Sequence, residues 1–225
     1  MQFYYTDPSP NEFPNWLKRL GAEGLLRDEK RQFPFLGFAA TIFEANARKV
    51  PEWIEGIDAL PKKDRKTVYI ALWLSNTKES RNLLSDVSRR RLLETRNYFN
   101  FQTEHQPPKL NEIDKYWGFL DIQWGWFLAS GAKEPVENIT SVLTFASFLG
   151  SKKKYPEPKT KEEKWAVINE RLFQSAMRSL QSNCKTHSRV MEICEEIYEE
   201  GTLEHLAQWS LKSILIDAKP DKYKI

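Results

Sequence analysis

Apolar side chains recur every three or four residues through most of the chain, which is the spacing of an amphipathic helix. The first such stretch places Phe13, Trp16, Leu17 and Leu20 on one face. It follows Ser9-Pro10-Asn11-Glu12, which has the pattern of a capping box with proline in the first helical turn. Glycines after the stretch predict its end. The chain therefore opens with a capped helix that has one apolar face.

Nine further stretches repeat this spacing, and they begin near Pro34, Pro51, Pro61, Leu83, Asn111, Pro135, Thr160, Val190 and Leu203. The apolar positions assigned to the helices from Thr160 and Leu203 include Trp165, Ile168, Leu206 and Trp209. Thr160 and Glu163 have the spacing of a second capping box. Residues 151–160 are rich in Lys and Pro and predict an exposed linker. The sequence thus predicts an all-α chain of about ten helices in a single domain, residues 1–225.

The run from Thr67 to Ser75 is the main alternative to an all-helical fold. It is continuously apolar and rich in residues that favour strands. No Asn-Gly or Asp-Gly turn lies near it to form a hairpin, and a buried helix can also be apolar on every side. We expect a helix here, with a strand as the alternative.

Three segments share an order of residue types, namely Ile42–Pro51, Leu72–Glu79 and Trp126–Pro135. In each, an aromatic residue precedes a small residue by two positions, and a polar turn follows. The pattern predicts a helix, a tight turn and a second helix, which approach closely at the small residue. Stacked hairpins of this kind form a TPR-like α-solenoid. Because the spacing is irregular and the TPR signature is absent, an irregular multi-helix bundle is the alternative.

Composition places the 225 residues among ordinary soluble globular proteins, with 40% apolar and 29% charged residues and a net charge of +3. This balance excludes collagen, a disulfide scaffold and a disordered tail. No window approaches the roughly 18 apolar residues that span a bilayer, so no membrane partner is predicted. Basic clusters at Lys62–Lys66, Arg89–Arg91 and Lys152–Lys154 neighbour acids and lack interleaved aromatics. We predict no nucleic-acid partner, with an adaptor using the last two clusters as the alternative.

Cys184 and Cys194 are ten positions apart, or about 15 Å along one helix. That is too far for a disulfide unless a turn separates them, so we predict two free thiols and a reducing, cytoplasmic compartment. His187 is expected to be a surface histidine, too distant from Cys194 along a helix to act as its base. Residues 1–14 lack a signal-peptide pattern, although a secreted or periplasmic mature chain would look the same.

Recognisable catalytic patterns are absent from the sequence. It has no His-Glu-x-x-His, Cys-x-x-Cys, Walker A, dinucleotide-binding glycine motif or Gly-x-Ser-x-Gly, and we predict no metal, no cofactor and no catalytic residue. An enzyme whose site is assembled from scattered residues is the alternative, with Asp121, Glu104, His105 or the pair Glu195 and Glu199 as candidates. The acidic stretch that contains the last two is expected to form a solvated helix face.

Aromatic residues are densest at Tyr116–Phe119, followed by Trp124, Trp126 and Phe127. Core packing is one interpretation, with Asp121 and Gln123 placed to satisfy the indole N–H groups. The other is a groove for a peptide or small ligand, because exposed Trp and Tyr are frequent hot-spot residues. The predicted partner-binding residues are Trp117, Asp121, Trp124 and Trp126.

The segment Asp121–Val136 contains the pattern W-G-x-F-x-A-[ST]-G-x-x-x-P-V, which resembles a recurrent segment of bacterial all-helical proteins. The start of the chain, Phe3–Pro10, resembles the start of the same proteins. The resemblance covers a minor part of the sequence. It implies an all-helical fold and brings with it no activity and no catalytic residue. Together these features predict a non-enzymatic helical module with a protein or peptide partner, acting as an accessory or toxin-neutralising protein of bacteria.

Overall fold

The computed structural model describes residues 3–86, 89–91, 106–115 and 118–223, except for the side chains of residues 29 and 30. Every regular element in this part of the chain is helical, and twelve α-helices occur in it, ten of them with seven residues or more. This confirms the predicted all-α fold of about ten helices. The strand considered for Thr67–Ser75 is wrong, because residues 67–74 lie inside a helix.

The internal contacts divide the chain into two compact units, and unit 1 comprises Met1–Ile113 and Asp121–Gly131. Its first five helices are α1 (Phe13–Ala22), α2 (Glu29–Ala45), α3 (Val50–Ile57), α4 (Lys62–Leu74) and α5 (Lys78–Leu84). Short 3-10 helices occur at Tyr4–Thr6, Pro10–Glu12, Leu25–Arg27, Ala47–Lys49 and Leu110–Glu112. The next α-helix, α6 (Phe119–Ser130), contributes most of its length to this unit.

Unit 2 comprises Asp114–Leu120 and Ala132–Ile225. Its helices are α7 (Lys133–Thr140), α8 (Ser151–Lys154), α9 (Lys161–Thr186), α10 (Ser188–Glu200), α11 (His205–Ala218) and α12 (Pro220–Tyr223), with a 3-10 helix at Ser141–Phe148. The expectation of a single domain over residues 1–225 stays a prediction.

Two predicted helix starts are wrong, for local reasons. Helix α2 begins at Glu29 instead of near Pro34, because the carbonyl of Asp28 accepts the N–H groups of Arg31 and Gln32 at 2.9 and 3.0 Å and forms a turn earlier in the chain. Pro34 then falls inside the helix, where it removes one backbone hydrogen bond. Ser9 makes no side-chain cap, since the chain first forms the 3-10 turn that leads into α1.

The second capping box is confirmed at the start of α9. The hydroxyl of Thr160 accepts the Glu163 N–H at 3.2 Å, and the Glu163 carboxylate accepts the N–H groups of Thr160 and Lys159 at 3.2 and 2.7 Å. These backbone hydrogen bonds hold the pKa of Glu163 below its ordinary value. The first four backbone N–H groups of a helix have no partner within the helix. The reciprocal cap supplies acceptors at this helix start and therefore stabilises it.

The core of unit 1 is built from aromatic rings. The ring of Phe13 lies 5.4 Å from that of Phe43, 5.6 Å from that of Trp53 and 6.5 Å from that of Phe38. The Tyr4 ring meets Phe38 edge to face at 5.2 Å. Tilted and edge-to-face contacts are the arrangements that ring quadrupoles favour. Much of the aromatic content of the sequence therefore packs α1, α2 and α3 together.

Helices α2 and α6 cross at glycines, where their backbones nearly touch. A Cβ atom at Gly37 would lie 2.0 Å from the carbonyl oxygen of Ile122, and one at Gly125 would lie 1.9 Å from the carbonyl oxygen of Pro34. The three predicted turns do connect helices, namely α2 to α3, α4 to α5 and α6 to α7. The close approach of α2 and α6, however, occurs at Gly37 and Gly125 and does not involve the small residues of these three segments.

In unit 2, helices α9, α10 and α11 follow one another through short links. The ammonium of Lys185 pairs with the carboxylate of Asp217 at 2.8 Å, which joins the C-terminal ends of α9 and α11. All three helices contact one another. The predicted linker begins with α8, and the buried Glu170 holds its start by accepting the N–H groups of Gly150 and Lys152 at 3.0 and 2.6 Å.

The turn between α9 and α10 brings the two cysteines together. Only His187 separates these helices, so Cys184 and Cys194 lie on facing sides as buried free thiols instead of about 15 Å apart along one helix. A hydrogen bond with Cys184, together with burial, raises the pKa of Cys194 well above its ordinary value. The surface position expected for His187 is wrong, since this residue is 2% exposed beneath the turn and burial lowers its pKa.

We expect neither thiol to react in the folded protein. The thiolate is the reactive form, and burial with a raised pKa keeps Cys194 protonated. An aromatic disulfide reagent at about pH 8 should label no cysteine before denaturation and both cysteines after it. The Cys194→Ser variant should then show one thiol after denaturation. Rapid labelling of the native wild-type chain would contradict the buried arrangement.

Candidate functional site

Helix α6 carries three of the four predicted partner-binding residues, while Trp117 lies outside the described residues. Asp121 is exposed and Trp126 is half-buried, so both can reach a partner. Trp124 is only 8% exposed. A role in binding stays a prediction for these positions, and Trp124 has little exposed surface that a partner could contact.

The buried side of α6 is a core of aromatic rings. Trp124 meets Phe127 edge to face at 6.0 Å, and Phe127 lies 5.0 Å from the ring of Tyr5. The amide of Gln123, expected to satisfy an indole, donates to the carbonyl of Leu110 at 2.6 Å. The Trp124 Nε1–H has no hydrogen-bond partner within the described part of the chain. Core packing thus accounts for most of this aromatic segment.

The glycines of the recurrent motif have a physical role in unit 1. Gly125 is where α6 meets the backbone of α2. Gly131 has a φ of +64°, and a Cβ atom there would lie 2.8 Å from the Tyr5 ring. Left-handed backbone and close approach both favour glycine. These two glycines therefore serve the packing of α6 within unit 1.

The candidates for an enzymatic site occupy different settings. Glu104 and His105 lie outside the described residues. Asp121, at the start of α6, is exposed as a residue, but surrounding protein atoms partly desolvate its carboxyl group and so raise its pKa. Glu199 is exposed on α10. Its predicted partner, Glu195, is engaged elsewhere.

Glu195 anchors the end of the described chain to α10. Its Oε1 accepts hydrogen bonds from Lys222 Nζ at 3.0 Å, Tyr223 OH at 3.0 Å and Lys219 Nζ at 3.3 Å. Partial burial disfavours its charge, but these hydrogen bonds outweigh burial and hold the pKa of Glu195 below its ordinary value. This carboxylate is therefore committed to structure and is a poor proton donor or acceptor for chemistry.

Replacing Glu195 with Gln is expected to loosen α12 and the end of α11 by about 1 kcal/mol. Because the pKa of Glu195 is lower in the folded chain, its contribution is complete above the unfolded pKa and is lost as the pH falls through the folded value. Amide exchange over residues 215–223 should be faster in the variant at neutral pH, and this difference from wild type should vanish in acid. Glu192→Gln, at an exposed pair with Arg189, is the control. Equal exchange in all three proteins would contradict the anchor.

Glu192, Glu196 and Glu200 of α10 form ion pairs on the exposed face of the helix. Lys133 contacts Glu200 at 2.7 Å, Glu196 at 3.3 Å and Glu137 at 3.5 Å. The hydrogen bond that Lys133 donates to Glu200, together with the one it donates to Glu196, raises the pKa of Lys133 to about 12. This face is thus a network of exposed charges within unit 2, each pair of which contributes little stability.

Two of the three guanidinium groups in the Arg89–Arg91 cluster are occupied within the chain. Arg89 binds the Asp58 carboxylate at 2.7 Å, and the hydroxyl of Tyr69 donates to the same carboxylate. Burial and this hydrogen bond raise the pKa of Tyr69 to about 12. Arg90 binds a backbone carbonyl at 2.9 Å. The expectation of no nucleic-acid partner stays a prediction.

Sequence reasoning missed an exposed apolar surface on α9 and α11. Trp165 is 46% exposed and Trp209 is 67% exposed, and Ile168 and Leu206 beside them are exposed as well. All four continue the helical apolar spacing, which by itself does not show whether a position is buried. One signal was available in the sequence, since the positions three and four before Trp165, which lie on its side of the helix, are the charged residues Glu162 and Lys161.

Neither metal binding nor membrane insertion finds support in the described part of the chain. No group of three or more His, Cys, Asp or Glu side chains is arranged there to hold a metal ion. None of the described helices is both long and apolar enough to cross a membrane. Family models, curated proteins and solved structures give no match to this chain. Its function is therefore argued from its own surface.

Proposed function

We propose that this chain is a non-enzymatic helical module that binds another protein. The observation that carries the proposal is the exposure of Trp209, Trp165, Ile168 and Leu206 on two helices of unit 2. Covering one such side chain contributes about 1.5–3 kcal/mol, and Trp is among the residues that dominate binding energy at protein interfaces. Large apolar side chains held on a solvent face are typical of a surface that a partner covers.

Rigid presentation of these side chains supports the same function. Helix α9 has 26 residues and a complete capping box, and its inner face is packed against α10, α11 and the 3-10 helix at Ser141–Phe148. Side chains fixed on such a helix lose less entropy on binding than side chains on a loop. The proposal includes the finer expectations of a bacterial accessory or toxin-neutralising role, a cytoplasmic location and stacked TPR-like hairpins. Asp121 and Trp126 on α6 are proposed as further contact positions.

Recovery and reconstitution of the partner tests this function. The tagged full chain is expressed in its native host, the co-purifying protein is identified, and the two purified proteins are titrated by calorimetry. We expect a complex with at least micromolar affinity, weakened about tenfold or more by Trp165→Ala/Trp209→Ala. Phe3→Ala, at an exposed aromatic in unit 1, should change affinity less than about twofold. Absence of any protein that binds the purified chain at micromolar concentration would contradict the proposal.

A further inference from the structure

The exposed face of α9 combines cations with apolar side chains in a regular order. The term α9 face denotes eight of the exposed residues of this helix, namely Lys161, Lys164, Trp165, Ile168, Arg171, Ser175, Arg178 and Ser182. Side chains seven positions apart lie almost in line along a helix, because seven residues make nearly two turns. Two such rows lie side by side on this face. Lys161, Ile168 and Ser175 form one row, and Lys164, Arg171 and Arg178 form the other.

The four cations of the α9 face are unpaired within the described part of the chain. Their side chains make no ion pair or hydrogen bond there, in contrast to that of Lys133, which contacts three carboxylates. Two acids lie near the α9 face. Glu163 is used in the capping box, and the exposed Glu162 lies about 60° from Trp165 around the helix, at the edge of the face. The four cations outnumber this one exposed acid, so the face is positively charged.

Apolar side chains lie among these cations. Trp165 and Ile168 occupy the N-terminal half of the α9 face. Leu206 and Trp209 are exposed near the start of α11, another helix that packs against α9. From Lys161 to Arg178 the face is about 26 Å long. That length suits one helix or one extended segment of a partner.

We propose that the α9 face binds an acidic amphipathic segment of a partner protein. Apolar side chains of that segment cover Trp165 and Ile168, and its carboxylates pair with Lys164, Arg171 and Arg178. The inference rests on the proposed interaction function and names the chemistry of the partner. Complementary charge both selects such a segment and speeds its association, and Arg is the cation best suited to bidentate pairing with carboxylates.

The apolar content of the face distinguishes a protein partner from other polyanions. A nucleic acid gains little from Ile168 and Leu206, because neither side chain stacks on bases as aromatic residues do. An anionic membrane surface takes up a helix through its apolar face, and the apolar face of α9 is buried in the core of unit 2 through residues such as Leu172, Phe173 and Leu180. A protein segment uses both the cations and the apolar side chains.

Two charge-reversal variants distinguish an effect of the α9 face from an effect of the net charge of the protein. Lys164→Glu/Arg171→Glu changes the face itself. Lys152→Glu/Lys153→Glu makes the same change in net charge at exposed lysines of α8 in the same unit. Trp165→Ala removes the apolar anchor without changing charge. All five substitutions in these three variants are at exposed positions, and circular dichroism with thermal melting verifies that each variant is folded.

The probe is a random-peptide display library selected on the immobilised full chain at about 150 mM salt. Enriched peptides are synthesised with a fluorescent label and titrated by anisotropy. We expect enriched peptides to be acidic, with apolar residues three or four positions apart. Lys164→Glu/Arg171→Glu and Trp165→Ala should each weaken binding about tenfold or more, and Lys152→Glu/Lys153→Glu less than about threefold.

Three results would overturn the inference. The first is a selection that yields no acidic peptide. The second is acidic peptides whose affinity the α9 variants leave unchanged. The third is that a labelled DNA duplex or phosphatidylserine vesicles bind the chain at the same salt concentration and no longer bind Lys164→Glu/Arg171→Glu. That result would show that the α9 face binds a polyanion instead of a protein segment. None of these results contradicts the proposed interaction function if the co-purified partner still binds the chain. If no partner can be recovered and reconstituted, the proposed function is itself contradicted.

Discussion

Gly125→Ala is expected to destabilise unit 1 by about 3 kcal/mol, near the upper end of what overpacking costs. The new methyl group would lie 1.9 Å from the carbonyl oxygen of Pro34 and 2.8 Å from the backbone nitrogen of Phe38. Both atoms belong to the backbone of α2, so relief requires the two helices to separate. The loss exceeds the roughly 1 kcal/mol that alanine gains over glycine in a helix. Chemical denaturation at equilibrium measures the change.

Gly56→Ala is the matched control for this substitution. Its Cβ would contact only the Lys18 side chain, at 3.4 Å, so we expect a small gain from helix propensity, no more than about 1 kcal/mol. Gly37→Ala should destabilise the protein about as much as Gly125→Ala. The double variant should lose less than the sum of the two, because the helices are already apart. Equal stability of Gly125→Ala and Gly56→Ala would contradict the close crossing.

Arg27→Ala is expected to cost about 3 kcal/mol, the lower end of the range for breaking a buried ion pair. The side chain of Asp64 is 0% exposed, and its two oxygens accept hydrogen bonds from Arg27 Nε at 3.2 Å and Nη2 at 2.9 Å. Because the guanidinium is half-exposed, its loss admits some water to the carboxylate, which limits the penalty. Urea denaturation monitored by tryptophan fluorescence measures the effect.

The neighbouring Arg31 provides the control for the loss of a cation. It pairs with Asp28 at 3.4 Å, and both side chains are exposed, so Arg31→Ala should cost less than about 0.5 kcal/mol. Asp64→Asn in the Arg27→Ala background should recover part of the stability, since a buried amide without a partner costs less than a buried charge. Similar losses for Arg27→Ala and Arg31→Ala would show that Asp64 is not a buried charge.

Periodicity was sufficient to predict the class of this fold and many of its elements. The capping box at Thr160 and the end of α10 at Gly201 depend on residues a few positions apart, and sequence patterns encode such local relations well. The helix over residues 67–74 was also predictable, because no hairpin turn offered the alternative strand a partner. In each of these cases the deciding interaction is local.

Features that depend on distant residues were not predictable. The close crossing needs Gly37 and Gly125 to meet, and nothing in either local sequence identifies the other. Trp165 and Trp209 continue a helical apolar pattern, yet burial is decided by which neighbouring helices cover each face. Conversely, Trp124 was expected to contact a partner and is largely buried within unit 1. Periodicity shows which residues share a face, and only packing shows which face is left uncovered.

The most direct test of the central claim is hydroxyl-radical footprinting of the chain alone and bound to its reconstituted partner. The account predicts that Trp165 and Trp209 are readily oxidised in the free chain and become at least about fivefold less reactive in the complex. Trp53 and Trp124, which are buried, should react slowly in both states. Unchanged oxidation of Trp165 and Trp209 in a saturated complex would contradict the claim that α9 and α11 present the binding surface.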